Sequence, residues 1–454
     1  MVRVASLINS SDVPFFLGLS GAFFNYSYTG KRYIPFVGND DTLPVQLFEH
    51  RIASTTQNRC IQSITKMVVG KGLIDGSLKA GQPNNGFLKW SESVNNNSES
   101  LSTVLTIATD EYFTYGNSFV EIVKGEVFGT PFIRIYNRSM LHTRVGKENP
   151  DTGTPDSVIF NKNFVKVGYN YYSSKEIEIP IWNENRINEN DNWFVDVNGL
   201  KRTCIHFKNK IAGFETYGLP PSVSGLRYQA LEAKSADYNI ENFDNGMVLS
   251  GMLIIKGSMG QEEADEVGSR ILESHTGKGK TGRVAVVSSE QGIQDVEFKP
   301  YETTKEGSFI ELDRRVEEKI IGANNWDKRL CGLDRDSGLS NENSFLNEIL
   351  DVKELTMLNP FRIDLFDKVL KPIVYLYNQE LKGTPTYAVV NFTNLRFNTE
   401  VPLSFYGLIS PEKYVQVNEA RRMANLPDDT TDKGTNYIYL NSNDKNTVAT
   451  NVQP

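Results

Sequence analysis

The sequence predicts an α+β chain made of several modules, and three features predict it. From Gly116 to Phe207, short β-type runs follow one another, separated by Gly, Asn, Asp and Pro. No helical stretch between them could carry parallel crossovers, so the pairing should be antiparallel. Two amphipathic helices then flank a small insert, and a long apolar-striped helical stretch runs from about Asn343 to Tyr377.

Composition narrows the class. The 454 residues suffice for two or three domains of roughly 150 residues each. A hydrophobic fraction of 39% with 23% charged residues describes a folded, soluble chain rather than a disordered one. Lys and Arg number 48 against 56 Asp and Glu, a net charge of −8, which argues against gripping nucleic acid by a basic surface. The longest strongly apolar run without charge, Met247 to Ile255, is about half of a membrane span, so no membrane contact is expected. Pro14 to Phe24 is apolar, but Asp12 precedes it, only Arg3 lies upstream and no small-residue cleavage site follows; no signal peptide is expected. Cys60, Cys204 and Cys331 are odd in number and far apart, and His50, His142, His206 and His275 are equally scattered. They suggest no disulfide framework, no metal and no cofactor. His206, inside the strand-like run Thr203 to Phe207, reads as a sheet residue.

Taken in order, Asn58 to Leu73 sets Cys60, Ile61, Ile64, Met67 and Val68 on one helical face, and Leu101, Val104, Leu105, Ala108 and Tyr112 repeat the pattern. Asp75 to Ser100 between them, rich in Gly, Asn and Ser, reads as a surface loop. Strands are expected at Ser118 to Lys124, Pro131 to Tyr136, Asn163 to Tyr169, Lys175 to Ile181, Trp193 to Val197 and Thr203 to Phe207. Pro220-Pro221 marks a helix start, and the helix runs through Leu226, Ala230, Ala233, Ala236, Ile240 and Phe243 to a stop at Asn245-Gly246. The insert reads as strand Met252 to Lys256, helix Gln261 to His275, a basic turn Gly277 to Gly282, and strand Arg283 to Ser288. A helix from Thr304 to Ile321 carries Phe309, Leu312, Val316 and Ile320 on one stripe. Two striped helices around a small insert suggest a stalk that carries a tip.

No periodicity covers Cys331 to Ser340. Pro360 and Pro372 should kink or break the long helix that follows. Strands are expected at Tyr387 to Thr393 and Leu395 to Asn398. Ser410-Pro411-Glu412 has the N-cap, first-turn proline and acid of a helix start, and that helix should end before Pro427. The tail, Asp428 to Pro454, is polar and should fray beyond Leu440.

No catalytic constellation stands out. Gly277-Lys278-Gly279-Lys280-Thr281-Gly282 invites a phosphate-loop reading, but Ser274 stands where the first glycine must be, and a helix precedes where a strand should. The plainer reading is a basic surface turn, with Lys278, Lys280 and Arg283 near Lys256, suited to an acidic partner surface or DNA. Glu262, Glu263, Asp265 and Glu266 sit at a helix start, where acids compensate the dipole, and Asp313, Glu317 and Glu318 lie among Arg314, Arg315 and Lys319 at solvated-pair spacing.

The order of parts carries a resemblance. Tyr217-Gly218-Leu219-Pro220-Pro221, the alanine-rich helix, Asn242-Phe243-Asp244-Asn245-Gly246 and Gly251-Met252-Leu253-Ile254 resemble the signature of tailed-bacteriophage portal proteins of the HK97-like class. Tyr115-Gly116-Asn117-Ser118-Phe119-Val120-Glu121-Ile122-Val123 is similar to the strand that family places after a helix. Phe345 to Leu358 with Asn359-Pro360 resembles its long helix, and Asn418-Glu419-Ala420-Arg421-Arg422 with Leu426-Pro427 resembles its crown motif, Asn425 standing where glycine is common. The resemblance spans roughly Asn58 to Asp428.

It implies a ring, usually a dodecamer, at one capsid vertex, through which the terminase pumps DNA and by which DNA later leaves. Carried onto this chain, the implied parts are a β-rich wing (1–216), stem helix 1 (217–246), a small α/β clip (247–300), stem helix 2 (301–323), a tunnel loop (324–344), a long kinked helix with return wing strands (345–402), a helical crown (403–430) and a polar tail (431–454). Lys328, Arg329 and Arg335 would lie nearest the DNA phosphates, unless they pair with Asp327, Asp334 and Asp336; Lys278, Lys280 and Arg283 would form the docking rim of the clip. Implied partners are further copies of the chain, the terminase large subunit, a head–tail adaptor, the major capsid or scaffold protein, and double-stranded DNA, in a virion assembled in the host cytoplasm. No enzymatic activity is implied. In each stem helix acids outnumber bases by two, so a lumen lined by them would repel phosphate and let DNA slide. Two other readings are an ATPase built on the defective glycine turn, and a tail or baseplate component without a channel.

Overall fold

The computed structural model describes residues 32–36, 41–77, 86–150, 152–164, 176–186, 188–244, 251–256, 295–300, 306–333, 342–382, 384, 389–399, 415–416 and 437–438. Helices and antiparallel sheets are mixed, an α+β architecture. The described residues fall into two units, one from Glu49–Cys60 and Ser222–Lys328, the other from 32–48, Ile61–Pro221 and the residues after Lys328.

The larger unit is built on two four-stranded sheets. In the first, β3 (Asn117–Val127) lies between β4 (Thr130–Arg138) and β9 (Lys201–Lys208), with β8 (Phe194–Val195) at the edge beyond β9. The second runs β1 (Tyr33–Ile34), β5 (Thr143–Gly146), β6 (Ser157–Phe160), β7 (Ile177–Pro180). Every described strand pair is antiparallel, as the absence of crossover helices required. β3 is buried from Asn117 to Lys124, which explains its near-continuous apolar run. Helix α4 (Leu101–Tyr115) packs on β3 and β4. It is N-capped by Ser100, whose side chain accepts from the Thr103 amide, and ends at Gly116 in the left-handed region, φ 73°.

At that helix end the chain crosses itself. A Cβ on Gly116 would stand 2.1 Å from the Leu219 carbonyl carbon, and one on Gly218 would stand 2.1 Å from the Gly116 oxygen. Only glycine admits this approach. The Asn117 carboxamide spans the crossing, its Oδ1 accepting from the Gly218 amide at 2.8 Å and its Nδ2 donating to the Gly218 carbonyl at 2.8 Å. Asn209 closes the other side, its amide donating to Gly116 O (2.9 Å) and its Nδ2 to Leu219 O (2.8 Å). Next to it the buried Tyr217 hydroxyl donates to Ile34 O and accepts from the Val145 amide, holding β1 against β5.

Several expectations change against the structure. Asp75–Ser100 is not only loop: β2 (Leu73–Asp75) pairs with β12 (Leu395–Phe397), and α3 (Gly86–Ser91) buries Phe87 and Leu88. Two apolar residues suffice to anchor one helical turn, too few to register as a period. The helix after Pro221 does not start there; Val223–Gly225 forms a 3₁₀ turn and α5 runs Leu226–Asp244. The long helix is not broken at its prolines. It proceeds as α7 (Glu342–Lys353), α8 (Asn359–Leu365) and α9 (Lys371–Glu380), joined by π-helical turns at Glu354–Leu358 and Phe366–Leu370. The Asn359 amide donates to Glu354 O and the Lys371 amide to Phe366 O. Each residue before a proline thus shifts its bond by one carbonyl, and this accommodates the missing proline donor. The helix expected from Ser410 is corrected at Val415–Gln416, which is a strand, β13, paired with β14 (Tyr437–Ile438). Strand pairing with a distant segment there prevails over a local cap signal, whose own residues, Ser410 to Glu412, lie outside the described residues. Asn163–Tyr169 begins as a 3₁₀ turn, Lys162–Phe164, and its remainder lies outside the described residues.

Replacing Gly116 or Gly218 by Ala should cost about 2–5 kcal/mol, from overpacking at both sites and the left-handed penalty at Gly116. Chemical denaturation of the soluble fraction measures it, and Gly153→Ala, with φ 65° but nothing within 4 Å of the built Cβ, is the control that should lose only the left-handed penalty of about 1–2 kcal/mol.

Candidate functional site

In the smaller unit, α5 and the helix α6 (Glu306–Ala323) pack along each other in antiparallel fashion, with Ser235 donating to Asp313 at 2.8 Å. At their root, Gly225 lets the backbone close on Ala323, whose Cβ would lie 2.7 Å from one built on the glycine. Asn324, buried just past α6, donates to Gln57 Oε1 at 2.6 Å and to Ile320 O at 2.8 Å, while Gln57 donates to Ser222 Oγ at 2.9 Å. Buried amides cost free energy unless bonded, and this pair is reciprocally bonded, with Gln57 also reaching Asn324 Oδ1 at 3.4 Å.

Gln57 sits in the first turn of α2 (Thr55–Val69), which follows α1 (Leu43–Ala53). Ser54 caps α2 by accepting from the Gln57 amide at 3.1 Å, and the Glu232 carboxylate accepts from Ser54 Oγ, Thr56 N and Thr56 Oγ1. A carboxylate at a helix N-terminus is favourably placed against the dipole. Sequence reading missed this root; its one signal was the S-x-x-Q pattern of Ser54 and Gln57.

α6 ends in a Schellman motif. The Asn325 amide donates to Gly322 O and the Trp326 amide to Ile321 O, with Asn325 left-handed at φ 48° and both Trp326 and Ile321 buried. This ending positions the turn that bears Lys328 and Arg329. Both are half-buried and engaged within the chain. Leu330 is buried, its carbonyl accepts from Ser63 Oγ at 2.7 Å, and the Gly332 amide donates to Arg329 O at 3.0 Å. The first residues of the segment implied to be the tunnel loop are therefore held by buried Leu330 and its carbonyl bond. Arg335 lies outside the described residues.

The insert between α5 and α6 is closed at its base by β10 (Gly251–Lys256) and β11 (Asp295–Pro300), paired residue for residue from Gly251↔Pro300 to Lys256↔Asp295. The second strand was not expected; its alternation, Val296 and Phe298 among polar residues, was the available signal. Lys278, Lys280 and Arg283, with the helix and strand expected around them, lie outside the described residues.

Away from their root the two helices are open. Leu231 is 37% exposed, Tyr238 47%, Ile240 59% and Leu312 37%. Two ion pairs lie along α6, Arg315 with Glu311 at 2.9 Å and Arg314 with Glu318 at 3.4 Å, exposed pairs that contribute little.

In the larger unit, Glu121 is fully buried on β3 between Arg138, whose Nε donates at 2.6 Å, and Arg202, whose Nη1 donates at 3.2 Å. Arg202 also donates to Asp196 from Nε at 3.1 Å. His206 is a sheet residue as expected, Nε2 lying 3.0 Å from Asn117 Oδ1 and the ring stacked on Phe119; burial holds its pKa well below the usual imidazole value. Among the described residues no helix is long and apolar enough to cross a membrane, and no three His, Cys, Asp or Glu side chains are grouped to hold a metal ion.

No protein-family model matches the chain. An uncharacterized protein of Rickettsia bellii (strain RML369-C) is 24% identical over 232 residues, 49% of this chain; the match spans about half, 55%, of that relative's length. Among solved structures, a chain in the neck of an empty gene transfer agent (GTA) particle, computed with C6 symmetry, aligns at TM-score 0.51 and 14% identity over 91% of this chain and 98% of its own, and shows that the fold is shared. A chain of the native GTA neck computed with C12 symmetry aligns at TM-score 0.49, 15% identity, over 92% and 99%. An HK97-family phage portal protein from Corynebacterium diphtheriae aligns at 0.38, 12% identity, over 80% and 97%.

Asn324→Ala should lower stability by about 1–3 kcal/mol, because Gln57 Oε1 is left buried without its donor, and Gln57→Leu with Asn324→Leu should recover part of the loss. Urea unfolding of the two variants checks the order.

Proposed function

We propose that the chain is a portal-type subunit: copies of it assemble into a ring at one capsid vertex, DNA enters through the ring under the terminase and leaves through it, and a head–tail adaptor docks on the same particle. The observation that carries this reading is the helix pair α5–α6. It is rooted by a buried amide pair, bears an insert at its far end, and exposes Leu231, Tyr238, Ile240 and Leu312 in the single chain. Copies packed side by side would cover that apolar surface, at about 25 cal/mol per Å² removed from water. The shared fold with a GTA neck chain supports the same reading.

In this assignment α5 and α6 are the stem, 247–300 is the clip, 324–344 is the tunnel loop and the two-sheet unit belongs to the wing. Lys278, Lys280 and Arg283 face terminase and adaptor in turn, Lys328, Arg329 and Arg335 lie nearest DNA, and the wing meets capsid or scaffold protein. The ring is a dodecamer in the virion, assembled in the host cytoplasm. The role is that of a conduit, mechanical rather than enzymatic.

Electron micrographs of the purified chain should show rings with a central hole; rods or hole-free particles would favour a tail or baseplate component instead. Leu231→Glu with Ile240→Glu should abolish rings while leaving a folded monomer, read by size-exclusion chromatography and circular dichroism. Replacing 332–340 by a short linker should leave rings and their melting temperature intact and impair DNA packaging or retention. If it destroys the ring, the tunnel-loop assignment is wrong.

A further inference from the structure

The turn between β3 and β4 breaks a local rule. Val127 pairs with Thr130, so Phe128 and Gly129 form a two-residue hairpin loop, and both have positive φ, 52° and 77°. Such a loop selects Asn, Asp or Gly at its first position, and a bulky residue there is strained. Nothing within the chain offsets that strain, because the Phe128 side chain is fully exposed. Val127 beside it is 47% exposed. The turn Asp196–Leu200 closes β8 onto β9 at the same end of the sheet, with the Leu200 side chain 2.5 Å from where a Gly125 Cβ would stand. Val197 in that turn is exposed as well. One end of the sheet therefore presents Val127, Phe128 and Val197 to solvent.

The same unit holds a concave counterpart. Ile363 of α8, Phe366 in the π turn after it, Phe392, and Leu395 and Phe397 of β12 line a cavity of about 530 Å³. Phe366 stands edge-on to Phe397, ring centres 4.9 Å apart, and lies 5.9 Å from Phe392. In the single chain Ile363 is 62% exposed, and Phe366 and Phe392 are only half-buried. Arg362 on the wall is held by Glu354 and by the carbonyls of Met67 and Val68. A larger cavity beside Trp182 carries Glu184, Arg186, Glu189 and Lys371 on its walls and suits an apolar side chain less well. Tip and socket lie at opposite ends of the unit. Phe361 of α8 packs on Phe207, ring centres 5.7 Å apart, and Phe207 pairs with Ser118 near the start of β3. Phe128 stands beyond the far end of β3, roughly 30 Å away at about 3.4 Å per residue.

Resting on the ring reading above, we infer that the Phe128 tip of one copy seats in the Phe366–Phe392–Phe397 socket of the next. A contact between two different patches is heterologous, and repeated head to tail it closes into a ring where the rotation allows. A tip at one end and a socket at the other give every copy a neighbour on both sides. Phe128 meets the socket rings edge to face, and a buried aromatic side chain removes roughly 150–250 Å² from water. Strain at the turn then belongs to a residue whose contact lies outside its own chain.

Phe128→Asn in the full chain separates this contact from a folding role. Asn suits the left-handed position, so the variant should melt at or above the wild-type temperature. Its self-association, read by analytical ultracentrifugation over a concentration series, should weaken at least tenfold; Phe128→Gly makes the same test. Phe128→Cys copies mixed with Ile363→Cys copies should give a bismaleimide-linked dimer that neither variant gives alone. Unweakened association in Phe128→Asn, or no mixed dimer, overturns the contact. Rings in micrographs without the mixed dimer leave the ring reading standing and remove this contact. The mixed dimer without rings keeps the contact and removes the ring. If Phe128→Asn instead keeps its self-association and loses binding to the capsid protein, the tip belongs to that partner and the socket assignment is wrong.

Discussion

The crossing at Gly116, Asn117 and Gly218 is the contact on which the larger unit depends. α4 ends there, the central strand β3 starts there, and the chain that has completed the two sheets returns there before it leaves for α5. A carboxamide that bonds both the N–H and the C=O of one residue mimics a strand partner, so it fixes register as well as distance. Asn117 also fixes His206, and Tyr217 next to Gly218 fixes the β1–β5 pair, so one short stretch sets the geometry of both sheets. With two glycines in van der Waals contact, no side chain can be added without moving backbone.

The smaller unit solves a different problem. Two long helices with exposed apolar positions need a rigid base. Buried Leu226, Val316 and Ile320 are joined there by buried polar groups: Gln57, Ser222 and Asn324 satisfy one another, and Glu232 occupies the N-terminus of α2. Such networks hold one geometry because any partial arrangement leaves a buried donor unpaired. The Schellman ending of α6 then fixes the backbone where the helix stops, and the turn after it is held by backbone bonds together with buried Leu330.

Periodic signals were legible and isolated ones were not. The apolar spacing at Leu101–Tyr112, the β-type run from Ser118 to Lys124 and the stripe ending at Ile320 all became elements close to where the pattern placed them, because each repeats a burial requirement several times over. Phe87 and Leu88 anchor α3 with two residues, below any period. The cap-like Ser410-Pro411-Glu412 reports only local preference, and the pairing of Val415–Gln416 with Tyr437–Ile438 is a long-range fact no local signal contains. The prolines at 360 and 372 were seen, but their accommodation by π turns depends on carbonyl shifts spread over a whole turn.

What the sequence by itself determined is the class, the antiparallel strands, the two helices around an insert and the motif residues Gly116, Asn117, Glu121 and Gly218. What only the tertiary structure decided is how those residues are used: Gly116 with Gly218 as a crossing, Glu121 as the carboxylate shared by Arg138 and Arg202, and Gln57 with Asn324 as the root of a helix pair. The reason is physical. Hydrophobic period is written along the chain, residue by neighbouring residue, whereas close approach and polar satisfaction here join positions 17 to 267 apart and exist only once the backbone has brought them together.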